Sequence, residues 1–119
     1  MENLVIIGGS DAAISAALRA REICPSIQPT LVVADSYPNF SICGLPFFLS
    51  GEVTNWRSLA HRTREEIEQA GIRLLLNHTA TKIDSDSKTV QIVDREARTT
   101  ELPYDQLVIG TGAESIKPN

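Results

Sequence analysis

Cys43 stands in the run Phe40-Ser41-Ile42-Cys43-Gly44-Leu45-Pro46-Phe47-Phe48, a single thiol among apolar residues at the head of a segment that reads as a short helix over 43–50 closed by Gly51. The amino end of a helix favours thiolate over thiol, and the thiolate is the form that attacks disulfides and becomes oxidised. Redox chemistry suits that placement. A second constellation is Gly8-Gly9-Ser10-Asp11-Ala12-Ala13, directly after the apolar run Leu4-Val5-Ile6-Ile7. A buried strand that ends in glycine and turns at once into a helix aims backbone N–H groups and the helix dipole at one point, which suits a phosphate. Against the fingerprint Gly-x-Gly-x-x-Gly the run keeps the first glycine, with Ser10 at the second position and Ala13 at the third. Ala13 is small enough for close helix-strand packing. Ser10 needs a backbone conformation that a side chain tolerates, and Asp11 brings a carboxylate near the anion. Asp35, at the end of a second apolar strand, lies where such a motif expects an acid on a ribose hydroxyl. The plain alternative is a tight turn in an α/β domain, with Asp35 an ordinary strand-end acid.

The elements that must hold these groups read as strand, helix, strand within the first 35 residues. A continuous apolar run at 4–7 predicts a strand buried on both faces. Alanines at 12, 13, 16, 17 and 20, with Ile14 and Leu18, predict a helix over 11–22 packed closely on a sheet. Pro25 and Pro29 end it, and 30–34 predicts the second strand. Thr63 followed by Arg-Glu-Glu predicts a capped helix to Ala70 that stops at Gly71, and 72–76 a third buried strand. Three β-prone stretches, 79–84, 89–93 and 99–102, are separated by turns at Asp84-Ser85-Asp86-Ser87 and Asp94-Arg95-Glu96, which predicts a small antiparallel meander. Residues 106–109 return to the opening pattern, a buried strand running into Gly110-Thr111-Gly112.

Composition narrows the partners. With 119 residues, 42% hydrophobic and 22% charged, one domain with one core is expected. A formal net charge of -4 with singly scattered lysines and arginines provides no field for nucleic acid, so an anionic cofactor must be held locally. The amino-terminal apolar run is far shorter than a membrane span or signal-peptide core, and a cytoplasmic protein is expected. Cys24 and Cys43 could pair, but a reducing compartment and their wide spacing argue for free thiols. His61 and His78 fall on different elements without a ligand set around them, so no metal is expected.

At Cys43-Gly44-Leu45-Pro46 the sequence resembles the Cys-Gly-Leu-Pro segment in the single-cysteine branch of the FAD-dependent pyridine nucleotide-disulfide oxidoreductases. That branch contains coenzyme A disulfide reductases, NADH oxidases and peroxidases, and persulfide reductases. The likeness takes in Val5-Ile6-Ile7-Gly8-Gly9, Asp35, residues 78–84 and the stretch from Tyr104 through Thr111-Gly112 to Ala113, which is similar to the family's second flavin motif. It implies a Rossmann-like FAD/NAD(P)-binding α/β domain, a parallel sheet with helices plus a small antiparallel meander. Residues 1–119 would be the amino-terminal part of that domain, with nicotinamide-binding and dimerisation domains outside this chain. By position, the resemblance puts Gly8, Ser10 and Ala12 by the pyrophosphate, Asp35 on the adenosine ribose and the backbone of Ala80 at adenine. It puts Thr111 and Gly112 beside the dinucleotide and Cys43 next to the isoalloxazine ring. Arg19 and Arg21 fall where coenzyme A reductases place basic residues toward the nucleotide substrate. Ile42 stands where many of those reductases carry asparagine, and the loop between Asp35 and Cys43 is short for that group.

The activity so implied takes electrons from NAD(P)H through FAD to a disulfide, persulfide or sulfenate at Cys43. One cysteine in place of a Cys-x-x-x-x-Cys pair implies that the second sulfur or oxygen comes from outside, as coenzyme A disulfide, another small thiol, a persulfide or peroxide. A homodimer is expected. The other readings are an NADH oxidase or peroxidase, a reductase of electron-carrier proteins in which Cys43 is structural, and a nucleotide-binding module without catalysis.

Overall fold

The computed structural model describes residues 2–36, 45–52, 54–55 and 64–112. Within these, β1 (Asn3–Ile7), α1 (Asp11–Ile23) and β2 (Gln28–Val33) form the opening strand-helix-strand unit, followed by the short helices α2 (Leu45–Leu49) and α3 (Arg64–Gln69). Then come β3 (Arg73–Leu76), β4 (Thr79–Asp84), β5 (Thr89–Val93), β6 (Thr99–Pro103) and β7 (Gln106–Ile109). The predicted elements form within about two residues of the expected bounds. Thr63, the expected cap of α3, lies outside the described residues.

The parallel sheet has the order β3-β2-β1-β7, and β4-β5-β6 make a separate antiparallel sheet. Because side chains alternate across a strand, each parallel strand feeds two cores. Leu4 and Ile6 of β1, Leu31 and Val33 of β2 and Leu74 of β3 point to one face, against Ala13, Ile14 and Ala17 of α1 and Ile67 of α3. Val5 and Val32 point to the other, where Val90, Ile92 and Leu102 of the meander cover them. The molecule is three layers thick, helices on one face of the parallel sheet and meander on the other. This explains the unbroken apolar run of β1: neither face meets water.

The outer strands depart from the expectation of full burial. β3 has only Leu74 buried within it, and β7 has no buried residue, with Ile109 64% exposed. Both sequences are as apolar as that of β1, but each strand is outermost among the described residues and is covered on fewer sides.

The amino edge of the sheet is tied by Arg21. Its Nη1 donates to the carbonyl oxygens of Pro25 and of Ile27 (3.0 Å), and Nε donates to that of Ala70 (3.4 Å). One guanidinium therefore joins the end of α1, the start of β2 and the turn before β3. Gly71, at φ +87, lies against it, and a Cβ there would come within 2.8 Å of the guanidinium nitrogens.

Candidate functional site

The glycine turn after β1 is built by close approach. Gly8 N–H donates to Val32 O at 2.8 Å, extending the β1–β2 ladder one residue beyond Ile7. At φ +117 Gly8 occupies backbone space that L side chains avoid, and a Cβ would stand 2.1 Å from Gly110 O. The two glycine turns therefore touch. Gly110 N–H donates to Ile7 O at 2.8 Å, and a Cβ on Gly110 would fall 2.8 Å from that of Ala13. The small residue at the third fingerprint position is thus packed against the second turn.

Ser10 meets its conformational requirement at φ -69, ψ 164, an extended geometry open to any residue. It is the N-cap of α1: its Oγ accepts the Ala13 N–H (3.2 Å) and donates to Gly110 O (2.8 Å). The Ile14 N–H goes to the Ser10 carbonyl at 3.0 Å. Upstream of these two donors, the amides of residues 9–12 precede the intrahelical ladder at the positive end of a 13-residue helix. Ala12 lies exposed in that first turn.

Asp35 follows β2 with its side chain exposed, and the chain around it is held at Val33, at Asp35 itself and at Ser36. Asn77, in the left-handed region at φ +61, donates its N–H to Asp35 O at 3.1 Å, and His78 N–H donates to Val33 O at 3.0 Å. Ser36 Oγ donates to Asn77 Oδ1 (2.8 Å) and accepts from Arg95 Nη2 (2.7 Å), so the β5–β6 turn braces the residue after the acid. The His78 ring is oriented too: Nδ1 lies 2.7 Å from Leu76 O, and because a carbonyl only accepts, Nδ1 carries the proton.

These parts meet in one cleft of about 230 Å³ at the carboxyl ends of β1 and β2, where Gly8, Gly9, Asp35, His78, Ala80 and Thr111 are among the lining residues. Ala80 is delivered from the second sheet. The β4–β5 register shifts between Ala80 and Lys82, a bulge of the kind that re-aims a strand beside a site.

Of the residues singled out from sequence, Gly8, Asp35, Ala80 and Thr111 therefore share a cleft, and Ser10 touches its second turn. Gly112, at φ +72, has Ser10 Cβ 3.9 Å from where its own Cβ would be. Arg19 is exposed and paired with Glu22 at 2.8 Å. Arg21 sits at the opposite edge of the sheet, its donors engaged by the carbonyls above. Cys43 lies outside the described residues, and Cys24 is a half-buried free thiol. Sequence reasoning missed the bracing group Ser36, Asn77 and Arg95 and the orientation of His78. Only the Asn77-His78 pair between two strands offered a signal, since asparagine tolerates the left-handed region.

The family model described as pyridine nucleotide-disulphide oxidoreductase matches residues 2–119. The chain belongs to that family. As a pyridine nucleotide-disulphide oxidoreductase chain it is 38% identical to an NAD-dependent persulfide reductase from A. fulgidus, whose structure superimposes with a TM-score of 0.90 over 98% of this chain and 22% of that one. It is 30% identical over 118 residues to a CoA-dependent NAD(P)H sulfur oxidoreductase of Pyrococcus abyssi, covering 98% of this chain and 26% of the relative. It is 25% identical over 115 residues to an NADH oxidase of Methanocaldococcus jannaschii, covering 96% of this chain. The chain spans about a quarter of the length of the curated relatives it matches. The strand order and three-layer arrangement are those of the Rossmann-like fold expected for this family.

The cleft fits the adenosine half of a dinucleotide in its chemistry. The Gly8-Gly9 turn that leads into α1, the exposed Asp35, the buried end of β2 and Ala80 all line it.

Proposed function

We propose that this chain forms the adenosine side of an FAD site in an oxidoreductase that passes electrons from NAD(P)H to a disulfide, persulfide or sulfenate at Cys43. The observation that carries the reading is the single cleft shared by the glycine turn, Asp35, Ala80 and Thr111 in a chain of this family. Gly8, Ser10 and Ala12 belong to the turn that faces the pyrophosphate, where backbone amides and the α1 dipole offset its charge. The Asp35 carboxylate accepts hydrogen bonds from the ribose hydroxyls, and the Ala80 backbone meets the adenine edge. Thr111 and Gly112 flank the dinucleotide from the second turn.

Bound FAD would supply two-electron transfer between the nicotinamide and sulfur. Cys43 contributes the sulfur, as a thiolate that attacks an incoming disulfide or persulfide. For a disulfide RS–SR′, a hydride from NAD(P)H and one proton from solvent convert the S–S bond to two thiols. Small thiols such as coenzyme A, in disulfide or persulfide form, are the substrates we favour, in keeping with the P. abyssi and A. fulgidus relatives. Arg19 is the basic residue retained for the substrate side, and its exposure supports that. The rest of the flavin domain, a nicotinamide-binding domain and a dimerisation domain would lie outside these 119 residues, in a cytoplasmic homodimer, a reading supported by the quarter of its relatives' length that the chain spans.

The test is the visible spectrum of the protein expressed from its complete reading frame, under anaerobic conditions. A flavin band that bleaches with NADH or NADPH and returns on addition of coenzyme A disulfide or a persulfide is expected. Replacement of Cys43 by serine should abolish that return. A colourless protein, or undiminished turnover in Cys43→Ser, would overturn the reading. The M. jannaschii relative supports a second reading, oxidation of NADH by oxygen or peroxide with Cys43 as sulfenate. Recovery of the band with oxygen or peroxide but not with disulfide would select it.

A further inference from the structure

We propose that Ser10 is a positioning residue, a latch that holds the Gly110-Thr111-Gly112 turn in register with the first glycine turn so that both grip the same dinucleotide. The inference rests on the dinucleotide reading above, and it gives Ser10 a different duty from the phosphate ligand its place in the fingerprint suggests. Its hydroxyl is committed on both sides, accepting from Ala13 N–H at 3.2 Å and donating to Gly110 O at 2.8 Å. A hydroxyl has one proton, and here that proton goes to the second turn.

The Gly110 carbonyl needs such a donor. It follows the last residue of β7, an edge strand of four residues that pairs only with β1 among the described residues. Within a planar trans peptide the carbonyl and the following N–H point in opposite directions, so fixing Gly110 O also fixes the direction of the Thr111 N–H. The Gly110 N–H is held by Ile7 O at 2.8 Å, while the neighbours on the carbonyl side are steric: Gly8 against Gly110 O, Gly110 against Ala13, Gly112 near Ser10 Cβ. Among the described residues, Ser10 Oγ is the side chain that adds a directional bond between the two turns. Glycine at position 10, which the fingerprint calls for, would leave that carbonyl without it.

Capping and latching can be separated, because glycine is nearly as good an N-cap as serine but has no hydroxyl. In the full-length flavoprotein, Ser10→Gly and Ser10→Ala should release flavin roughly three- to tenfold faster than wild type, the range expected for one neutral hydrogen bond. Ser10→Thr, which keeps the hydroxyl, should restore the wild-type rate. The melting temperature of the Ser10→Gly apoprotein should stay close to wild type. Release from Ser10→Gly at the wild-type rate, or from Ser10→Thr as fast as from Ser10→Gly, would overturn the latch. Should the wild-type protein carry no flavin, the dinucleotide reading fails separately, and the latch is judged by amide exchange. The Gly110 N–H, bonded to Ile7 O at 2.8 Å, should exchange several-fold faster in Ser10→Gly than in wild type. Unchanged exchange there would dispose of the latch.

Discussion

Gly8 and Arg21 show how single residues shape the two ends of the sheet. Gly8→Ala meets a strained φ and a carbonyl 2.1 Å from the new Cβ, so the two glycine turns must separate. A loss of about 2 kcal/mol or more is expected in urea unfolding, together with loss of nucleotide binding. Arg21 has its guanidinium on three carbonyls. Arg21→Met keeps much of the stem but leaves Pro25, Ile27 and Ala70 without that donor. It should cost about 2 kcal/mol in the same measurement, with substrate KM little changed in the complete enzyme. Gly71→Ala should be less damaging in the Arg21→Met background than in wild type, by about 1 kcal/mol, because part of its cost is collision with the guanidinium.

At the scale of elements, the meander both covers the sheet and carries Ala80 to the cleft. Ile92 is buried on β5 directly opposite Ala80, with Val90 beside it in the same core. Ile92→Ala should destabilise the fold by about 3 kcal/mol and loosen the adenine end of the cleft, checked by unfolding and by ADP titration. The two meander turns are organised by carboxylates. Asp94 accepts the Arg98 and Glu96 N–H groups, each at 2.9 Å, and Asp84 accepts those of Ser87 (3.2 Å) and Asp86 (3.1 Å). These bonds, with Arg98 N–H foremost at Asp94 and Ser87 N–H foremost at Asp84, hold both carboxyls below their usual range. A depressed folded pKa stabilises above the ordinary carboxylate value near pH 4, and the contribution disappears as pH falls through the folded value. Protection of the amides of residues 86, 87, 96 and 98, taken relative to the intrinsic exchange rate at each pH, should therefore fall on acidification below about pH 4. In Asp94→Ala, exchange at 96 and 98 should already be fast at neutral pH.

Taken as a whole, the parallel sheet has a covered middle and two outer strands, β3 and β7. The middle strands β1 and β2 are covered by helices on one face and meander on the other, while β7, among the described residues, has one edge without a partner strand and Ile109 exposed. An apolar strand edge tends to pair with another chain. The 119-residue chain expressed by itself should self-associate at micromolar concentration, and Ile109→Lys should shift sedimentation toward monomer. In a complete flavoprotein, where the proposed remaining strands would cover β7, the same substitution should instead destabilise the fold.

The sequence alone determined the order of strands and helices, because the period of apolar residues and the placement of glycine, proline and capping residues are local signals. It also marked Gly8, Asp35 and the Thr111-Gly112 turn, since each ends an apolar run at a recognisable spacing. Tertiary structure decided what those residues touch. The Gly8 contact with Gly110, the Ser10 bond across 100 positions of chain and the brace from Arg95 to Ser36 leave no local trace in composition or periodicity. The same holds for β3 and β7, whose residues read as fully buried; exposure depends on which neighbours a strand acquires, and that is fixed only when the sheet assembles.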